Sequence, residues 1–303
     1  MSEISRNLNA NMQTRQITNA MYLLSVSEIR RMSGSISYIE NYMHRLRLTI
    51  RDIITRSGGV RHSFLQRRGF KANASAFFVI SSDKSLCGAY NVNIVNLAME
   101  QIRSAQKAVV ITAGSHGETM LRNRGVDIRK SWEVAASEAS LDNASDIADD
   151  LIERYLDGEF DEVYVAFTRY RDQAHQSPTC VRLFPLALED FADEFIGLSD
   201  SGEQQNKGDM IFEPSVRSVF ETLVNEYATG IIYSALMQSA MSEHIARMNS
   251  MQSATKNADK MIDSLRLQYN TARQLAITNE IAEISAAKET FDLRCGICSE
   301  KIP

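Results

Sequence analysis

The chain has 303 residues, enough for about two domains, and its 44% apolar and 23% charged residues are far from the composition of a disordered segment. Its 14 glycines and 4 prolines are too few for a loop-rich binding module or a small-sheet sandwich, and favour a helix-rich protein. Four cysteines do not make a disulfide framework, so we expect a reducing compartment. There is no uninterrupted apolar run of the length that spans a bilayer, and residues 1–15 lack the apolar block of a secretory signal. We therefore expect no transmembrane span.

The charge is unevenly distributed along the chain. Residues 1–71 contain 12 Lys and Arg against 4 Asp and Glu, a net of +8, whereas the remainder has 21 against 34, a net of −13. A basic segment of this kind is found on nucleic-acid-binding surfaces, on surfaces that contact an acidic protein, and on ordinary solvated helix faces. The composition alone leaves these three interpretations open.

Residues 1–57 contain one glycine, Gly34, and no proline, and we predict a single long helix over 1–56. Upstream in this helix, Ile17, Met21 and Leu24 follow a phase of their own, so we expect the apolar seam to slip near Ser25. Further along, the spacing alternates between three and four residues without a miss, which is typical of a coiled coil. This heptad series consists of Ile29, Met32, Ile36, Ile39, Met43, Leu46, Ile50 and Ile53.

A second stretch with very few breakers, residues 213–290, is predicted to form another long helix. Beyond Pro214, whose fixed φ suits a first turn, it contains only Gly230 as a breaker, and its heptad positions from Val216 to Ala276 are mostly apolar. Two terminal helices of matching period pair most simply as an antiparallel coiled coil. We expect a polar linker at 197–210 before this helix and a tail extension at 291–303.

Residues 72–195 are predicted to form a small α/β, Rossmann-like domain. Helical patterns at 91–106 and 141–157 alternate with short apolar runs typical of buried strands, at 77–83, 108–113, 161–168 and 181–186. Alternating strands and helices build largely parallel sheets. Pro185 argues that the last strand lies at an edge or at an end. The predicted fold class is thus α+β and mainly α: a coiled coil plus a small α/β domain.

The loop Ser82–Asn91 follows a strand and precedes a helix, where α/β folds contact phosphates. It lacks the glycine spacing of a P-loop or a dinucleotide site, so we favour a structural turn with Cys87 as a buried thiol. The five histidines have no metal-ligand spacing, and His44 and His244 are expected to pack near the seams. The lone pair Cys295 and Cys298 is interpreted as part of the tail, with metal or redox use left open. We find no nucleophile set or carboxylate pair, and predict no catalytic site, cofactor or metal.

Four blocks of sequence carry a family resemblance. Thr14–Met21 is similar to an NTxxITKAM stretch, Ser82–Asn91 to an SDRGLCGxxN loop, and Phe212–Ser215 to a YEPS block. The fourth block is an ordered series of matches from Ala235 to Ile284, which includes the segments Ser242–His244, Ala246–Met248, Ala272–Gln274 and Ile277–Ile284. Over nearly its full length the chain resembles the gamma subunit family of the F-type ATP synthase, as a divergent member.

The resemblance implies a central-stalk rotor subunit. In that family the coiled coil occupies the centre of a hexamer of alpha and beta subunits, and the α/β foot rides with the epsilon subunit on the membrane ring. Proton flow turns the ring, and the rotor drives the catalytic beta subunits in sequence. The chain itself would then be non-catalytic. It would be peripheral on the cytoplasmic side of a bacterial cell membrane, with an acidic protein rather than nucleic acid opposite its basic segment.

The same resemblance implies which residues contact the beta subunits. They are Arg247, Arg273, Gln274, Thr278 and Glu280, with Met21 at the crossing of the two helices. Arginine suits such contacts because its charge persists and its planar fork engages a carboxylate through two hydrogen bonds.

The chain departs from the family pattern at Tyr22, at Glu28 and at its end, where Ser285–Phe291 replaces a tip of small residues and Asp292–Pro303 extends further. These departures leave open a second copy of the subunit, and also a structural coiled-coil adaptor that keeps the fold without rotor duty. A nucleotide-dependent enzyme built on the α/β domain is an alternative of another class. Nucleotide binding by the isolated chain would favour the enzyme, and co-purification with alpha and beta subunits would favour the rotor.

Overall fold

A computed structural model describes residues 2–56, 63–65, 74–134, 139–187, 212–213 and 215–299, with side chains through residue 287. The chain divides into two compact units. The first unit consists of Met1–Leu23 with Met251–Pro303, and the second unit is Leu24–Ser250. Within the described ranges, no helix combines the length and apolar character needed to cross a membrane.

Long helices lie at both ends of the chain, as the breaker-free stretches predict. Helix α1 spans Ser2–Arg56, and helix α5 spans Val216–Ser299, so α5 continues into the segment assigned to a tail. The Ser218 amide donates to Ser215 Oγ at 3.2 Å, which makes Ser215 the N-terminal cap and sets the start of α5 at Val216. Pro214, expected at the first turn, and the linker 197–210 lie outside the described residues.

In the second unit, α1 and α5 form the antiparallel coiled coil that the heptads predict. Tyr42 donates to Glu226 at 3.2 Å, and Met43 lies against Gly230, where the helices approach closely. Residues of α1 before Tyr42 pack with residues of α5 after Gly230, so the helices run in opposite directions. These residues form an apolar cluster of Ile29, Met32, Ile36, Met237, Ala240, Met241 and Ile245.

The expected slip of the seam near Ser25 is wrong. Ile17 and Leu24 are 61% and 67% exposed, whereas Thr18 and Ser25 are only 8% and 2% exposed. Thr18, Ser25 and Met32 are spaced by seven residues, so the heptad phase continues through hydroxyl side chains. Polar residues took the seam positions, and a search for apolar residues alone therefore followed the wrong face.

In the first unit, the remaining parts of α1 and α5 also pair antiparallel. Thr18 Oγ1 and Thr255 Oγ1 are 2.8 Å apart, and Arg15 forms an exposed ion pair with Asp259. Buried side chains on this part of α5 end at Ile262, since none of the residues 263–287 is buried.

The α/β domain lies in the second unit and contains one five-stranded sheet with the order β3-β2-β1-β4-β5. The first four strands in that order are parallel and β5 is antiparallel at the edge, so the largely parallel sheet and the edge position of the last strand are confirmed. The strands are β1 (Ser75–Ile80), β2 (Ala108–Ala113), β3 (Ile128–Trp132), β4 (Glu162–Tyr170) and β5 (Gln176–Phe184).

Helices cover both faces of this sheet. They are α2 (Tyr90–Ser104), α3 (Ser115–Asn123) and α4 (Leu141–Asp157). Ser140 caps α4 by accepting from the Asn143 amide, and Gly158 ends it in the left-handed region. Helix α3 and strand β3 were missed from the sequence; in β3 the polar residues Arg129, Lys130 and Ser131 separate its two apolar residues, Ile128 and Trp132.

Alternate residues of β1 face two different apolar cores. Phe78 and Ile80 belong to a core formed with α1, α4 and α5, whereas Phe77 and Val79 belong to a core formed with α2 and α3. The coiled coil and α4 therefore lie on one face of the sheet. The loop that follows β1 emerges at the carboxyl end of the parallel strands, beside α5.

Candidate functional site

The first unit exposes an unusual amount of apolar side chain. A surface helix of a soluble protein normally turns such residues toward a core, and a contiguous exposed set indicates a partner. The exposed large apolar residues of this unit are Met12, Ile17, Leu23, Met261, Leu267, Leu275, Ile277, Ile281 and Ile284, with exposures from 39% to 71%.

Four of the residues implied as beta contacts lie among these apolar side chains. Arg273, Gln274, Thr278 and Glu280 are all exposed on α5. At 3.6 residues per turn, Arg273, Ile277, Glu280, Ile281 and Ile284 fall on one stripe of the helix, which we call the distal stripe. The distal stripe thus combines both charge signs with large apolar groups, a composition suited to binding a protein.

Thr278 and Met21 differ from the other implied contacts. The Thr278 hydroxyl donates to the Gln274 carbonyl at 2.8 Å, so its hydrogen-bonding capacity is partly used within the helix. Met21 is half-buried on α1 in the first unit. Their contact with a partner stays a prediction.

Arg247 lies in a different environment, in the second unit. Its side chain is only 8% exposed and is paired with Glu243, four residues earlier on α5 and 7% exposed. The guanidinium also approaches the backbone carbonyls of Lys84 and Ser85, each at 3.5 Å. Burial raises the pKa of Glu243, and the Arg247 charge opposes that rise. Sequence reasoning named Arg247 but missed Glu243, because an i,i+4 spacing indicates a possible pair and gives no information about burial.

The loop after β1 is held by a compact set of polar contacts. The Ser82 amide donates to Asn91 Oδ1 at 3.1 Å, and Asn91 Nδ2 donates to Ser82 Oγ at 2.7 Å and to Cys87 Sγ at 3.2 Å. Ser82 Oγ in turn donates to the Lys84 carbonyl at 2.8 Å. Cys87 is buried, which raises the pKa of its thiol. These contacts are those of a structural turn with an inert thiol.

A cavity of about 280 Å³ adjoins this loop at the carboxyl ends of β1 and β4. This is the position at which open α/β sheets bind ligands. All of its lining residues are uncharged, so the cavity offers a phosphate no cationic side chain. Among the residues that the structure describes, no group of His, Cys, Asp or Glu could hold a metal ion.

Comparison with known proteins agrees with this geometry. Residues 1–291 match the ATP synthase family. The chain is 35% identical over 277 residues to the ATP synthase gamma chain of Caldanaerobacter subterraneus subsp. tengcongensis, covering 90% of this chain and 93% of that protein. It is 32% identical over 300 residues to the sodium-ion-specific ATP synthase gamma chain of Acetobacterium woodii, covering 96% and 99%.

Solved structures of the same fold come from much more distant sequences. One is a chain of the central stalk and c-ring of the Tetrahymena thermophila mitochondrial ATP synthase, with a TM-score of 0.59 and 18% identity over 78% of this chain and 99% of that one. Another is a chain of the Euglena gracilis mitochondrial ATP synthase, with a TM-score of 0.54 and 16% identity over 94% and 97%. Together with the family match over almost the whole chain and the two gamma chains above, the fold leads to one conclusion: this chain belongs to the ATP synthase gamma chain family.

Proposed function

We propose that this chain is the central-stalk rotor subunit of an F-type ATP synthase. The observation that carries the proposal is the exposed apolar and charged surface of the first unit, on a helix whose residues 263–287 have no buried side chain. A helix within a protein gains most of its stability from packing an amphipathic face, so the exposed apolar side chains at this end of α5 favour a surrounding partner. A hexamer of alpha and beta subunits supplies one.

In this role the chain performs no chemistry itself. It transmits rotation, and the catalytic beta subunits bind nucleotide with affinities that depend on which face of the stalk they meet. The stalk can change the nucleotide affinity of a beta subunit only if it contacts the conformations of that subunit differently. An asymmetric shaft presents a different face to each beta subunit as it turns, and so provides such contacts. The proposed partners are the alpha and beta subunits around the coil, and the epsilon subunit and membrane ring at the α/β domain. The proposed location is peripheral, on the cytoplasmic side of a bacterial cell membrane.

The proposed contacts with the beta subunits are Arg273, Gln274, Thr278 and Glu280 on α5, and Met21 on α1, which lies beyond the Thr18–Thr255 contact and away from the other four. We leave Arg247 out of this set because its guanidinium is buried on the chain's own loop. An exposed arginine that meets a partner carboxylate gains a charge-assisted hydrogen bond worth about 1.5–3 kcal/mol. In a solvated helix the same residue contributes within about 0.5 kcal/mol.

The test is the double variant Arg273→Ala with Gln274→Ala, assembled with alpha and beta subunits. We expect an unchanged melting temperature of the free chain and a fall in ATPase activity of about tenfold or more. The matched control is Lys260→Ala with Gln268→Ala, two exposed residues of α5 outside the distal stripe. Equal activities of the two double variants would remove Arg273 and Gln274 from coupling and favour the adaptor.

A further inference from the structure

The Glu243–Arg247 pair is an unexpected feature of the α5 face that meets the α/β domain. Both side chains are nine-tenths or more buried. A buried ion pair is often no more stabilising than an apolar pair of similar volume, because both charges lose their hydration. The pair therefore matters less for stability than for the fixed position in which it holds the Arg247 guanidinium. Arg247 imposes geometry on the loop 82–88, since it approaches the carbonyls of two successive residues, Lys84 and Ser85.

The loop also touches α5 one turn further on. A side chain at Gly88, which has a φ of +58°, would come within 2.8 Å of Ser250 Oγ. A backbone at this φ favours glycine, and the short distance shows that the loop backbone lies close to α5 here. The loop backbone therefore lies directly on α5 at two successive levels, at Arg247 and at Ser250.

The opposite side of the loop is fastened to the sheet and to α3. Asp83 Oδ1 accepts from the Ser115 amide at 2.7 Å, and Ser81 Oγ accepts from the Gly117 amide at 3.2 Å. The loop 82–88 thus bridges the α/β domain and α5. Between these two attachments, Leu86 has a φ of +67° and is 54% exposed. A leucine keeps such a strained backbone only where its surroundings hold it.

The bridge differs physically from the apolar core beneath it. Apolar packing between α5 and the sheet is non-directional, and it tolerates small rotations. Charge-assisted hydrogen bonds are directional and weaken steeply when misaligned. The contacts of Arg247 therefore restrict the rotation of the loop on α5 in a way that apolar packing alone does not.

We infer that Arg247 is a positioning residue within the second unit: held by Glu243, it fixes the loop 82–88 to α5 and thereby fixes the angle between the α/β domain and the part of α5 in that unit. The consequence for coupling rests on the proposed rotor function, because a shaft that turns must transmit torque to the domain at its foot. The fixing of the loop is independent of any partner.

The test compares three variants of the full chain by amide hydrogen exchange. Glu243→Met with Arg247→Met replaces the buried pair by apolar side chains, which keeps the site packed and avoids an unpaired buried charge. We expect the amides of Ser82 and Ser115, which donate to Asn91 Oδ1 and Asp83 Oδ1 and so hold the loop in place, to exchange about ten- to a hundredfold faster, with unchanged exchange in β1. The charge swap Glu243→Arg with Arg247→Glu keeps an ion pair but removes the donor from position 247, so we expect it to exchange as fast. Arg247→Lys keeps a donor and should restore part of the protection.

Two results would overturn this inference. One is an unchanged exchange rate at the amides of Ser82 and Ser115 in the double methionine variant, and the other is full protection in the charge swap, which would assign the effect to the ion pair alone. Both are measured on the free chain. They are therefore distinguishable from a failure of the rotor proposal, which the Arg273 and Gln274 variant tests in the assembled complex. In a complete complex that includes the membrane ring, we expect the double methionine variant to pump fewer ions per ATP hydrolysed.

Discussion

Replacement of Gly230 by alanine tests the closest approach of the two helices in the second unit. A methyl group at this position would overlap the Met43 sulfur, and Met43 is only 2% exposed. Alanine is favoured over glycine within a helix by about 1 kcal/mol, whereas overpacking a buried site costs about 1–3 kcal/mol. We expect Gly230→Ala to lower the free energy of unfolding by up to about 2 kcal/mol.

Gly34 provides a matched control. It lies exposed on α1, and a side chain there would meet no atom within 4 Å. Gly34→Ala therefore gains the helix propensity alone, about 1 kcal/mol. Because both substitutions share this gain, the difference between them, about 1–3 kcal/mol, measures the overpacking.

The assay is urea unfolding of each variant followed by far-ultraviolet circular dichroism, with the m-values compared. Combining Gly230→Ala with Met43→Ala completes a double-mutant cycle, and with the shorter side chain at 43 we expect the alanine at 230 to become favourable. An equal gain in stability from Gly34→Ala and Gly230→Ala would refute the close approach of the helices.

Two further predictions concern His244 and Ser140. Burial is the main cause that lowers the pKa of His244 below its usual 6.5. The nearby charges of Arg247, Arg31 and Lys84 also lower this pKa, whereas the charge of Glu28 raises it. As the pH falls below about 6.5, the unfolded chain therefore binds more protons than the folded chain does. The free energy of unfolding should for this reason fall more steeply from about pH 7.5 to about pH 5 in the native chain than in His244→Gln. Identical pH profiles of the two proteins would contradict this prediction. Ser140→Ala removes the cap that accepts from the Asn143 amide at 3.1 Å and should lower stability by about 1 kcal/mol, with loss of helix protection at the start of α4; Ser140→Asp, which retains a cap, should lose little.

The elements with strong periodic signals were predictable from the sequence, and those that depend on partners in space were not. The heptad series from Ile29 to Ile53 gave the buried face of α1 because its residues belong to, or pack against, the apolar cores that α1 shares with α5. The same reasoning failed at Ile17 and Leu24, since the hydroxyls of Thr18 and Ser25 occupy the seam. Strand β3 was missed because its edge position leaves charged side chains in solvent.

The candidate site divides in the same way. The exposed position of Arg273 and Gln274 was predictable, because the adjacent seam residues Ala272 and Ala276 fix which face of α5 turns inward. The environment of Arg247 was not, because it depends on a loop more than 150 positions away in the sequence. The match at Ala246–Met248 drew attention to Arg247, but only the fold shows that its guanidinium contacts the carbonyls of Lys84 and Ser85.

Rotation of the chain within an assembled hexamer tests the central claim most directly. The chain, assembled with alpha and beta subunits fixed to a surface, would carry a probe at Glu153→Cys, an exposed position on α4. The rotor account predicts unidirectional rotation of the probe when ATP is added, and loss of that rotation with Arg273→Ala and Gln274→Ala. A hexamer that contains the chain and hydrolyses ATP while the probe does not turn would contradict the account.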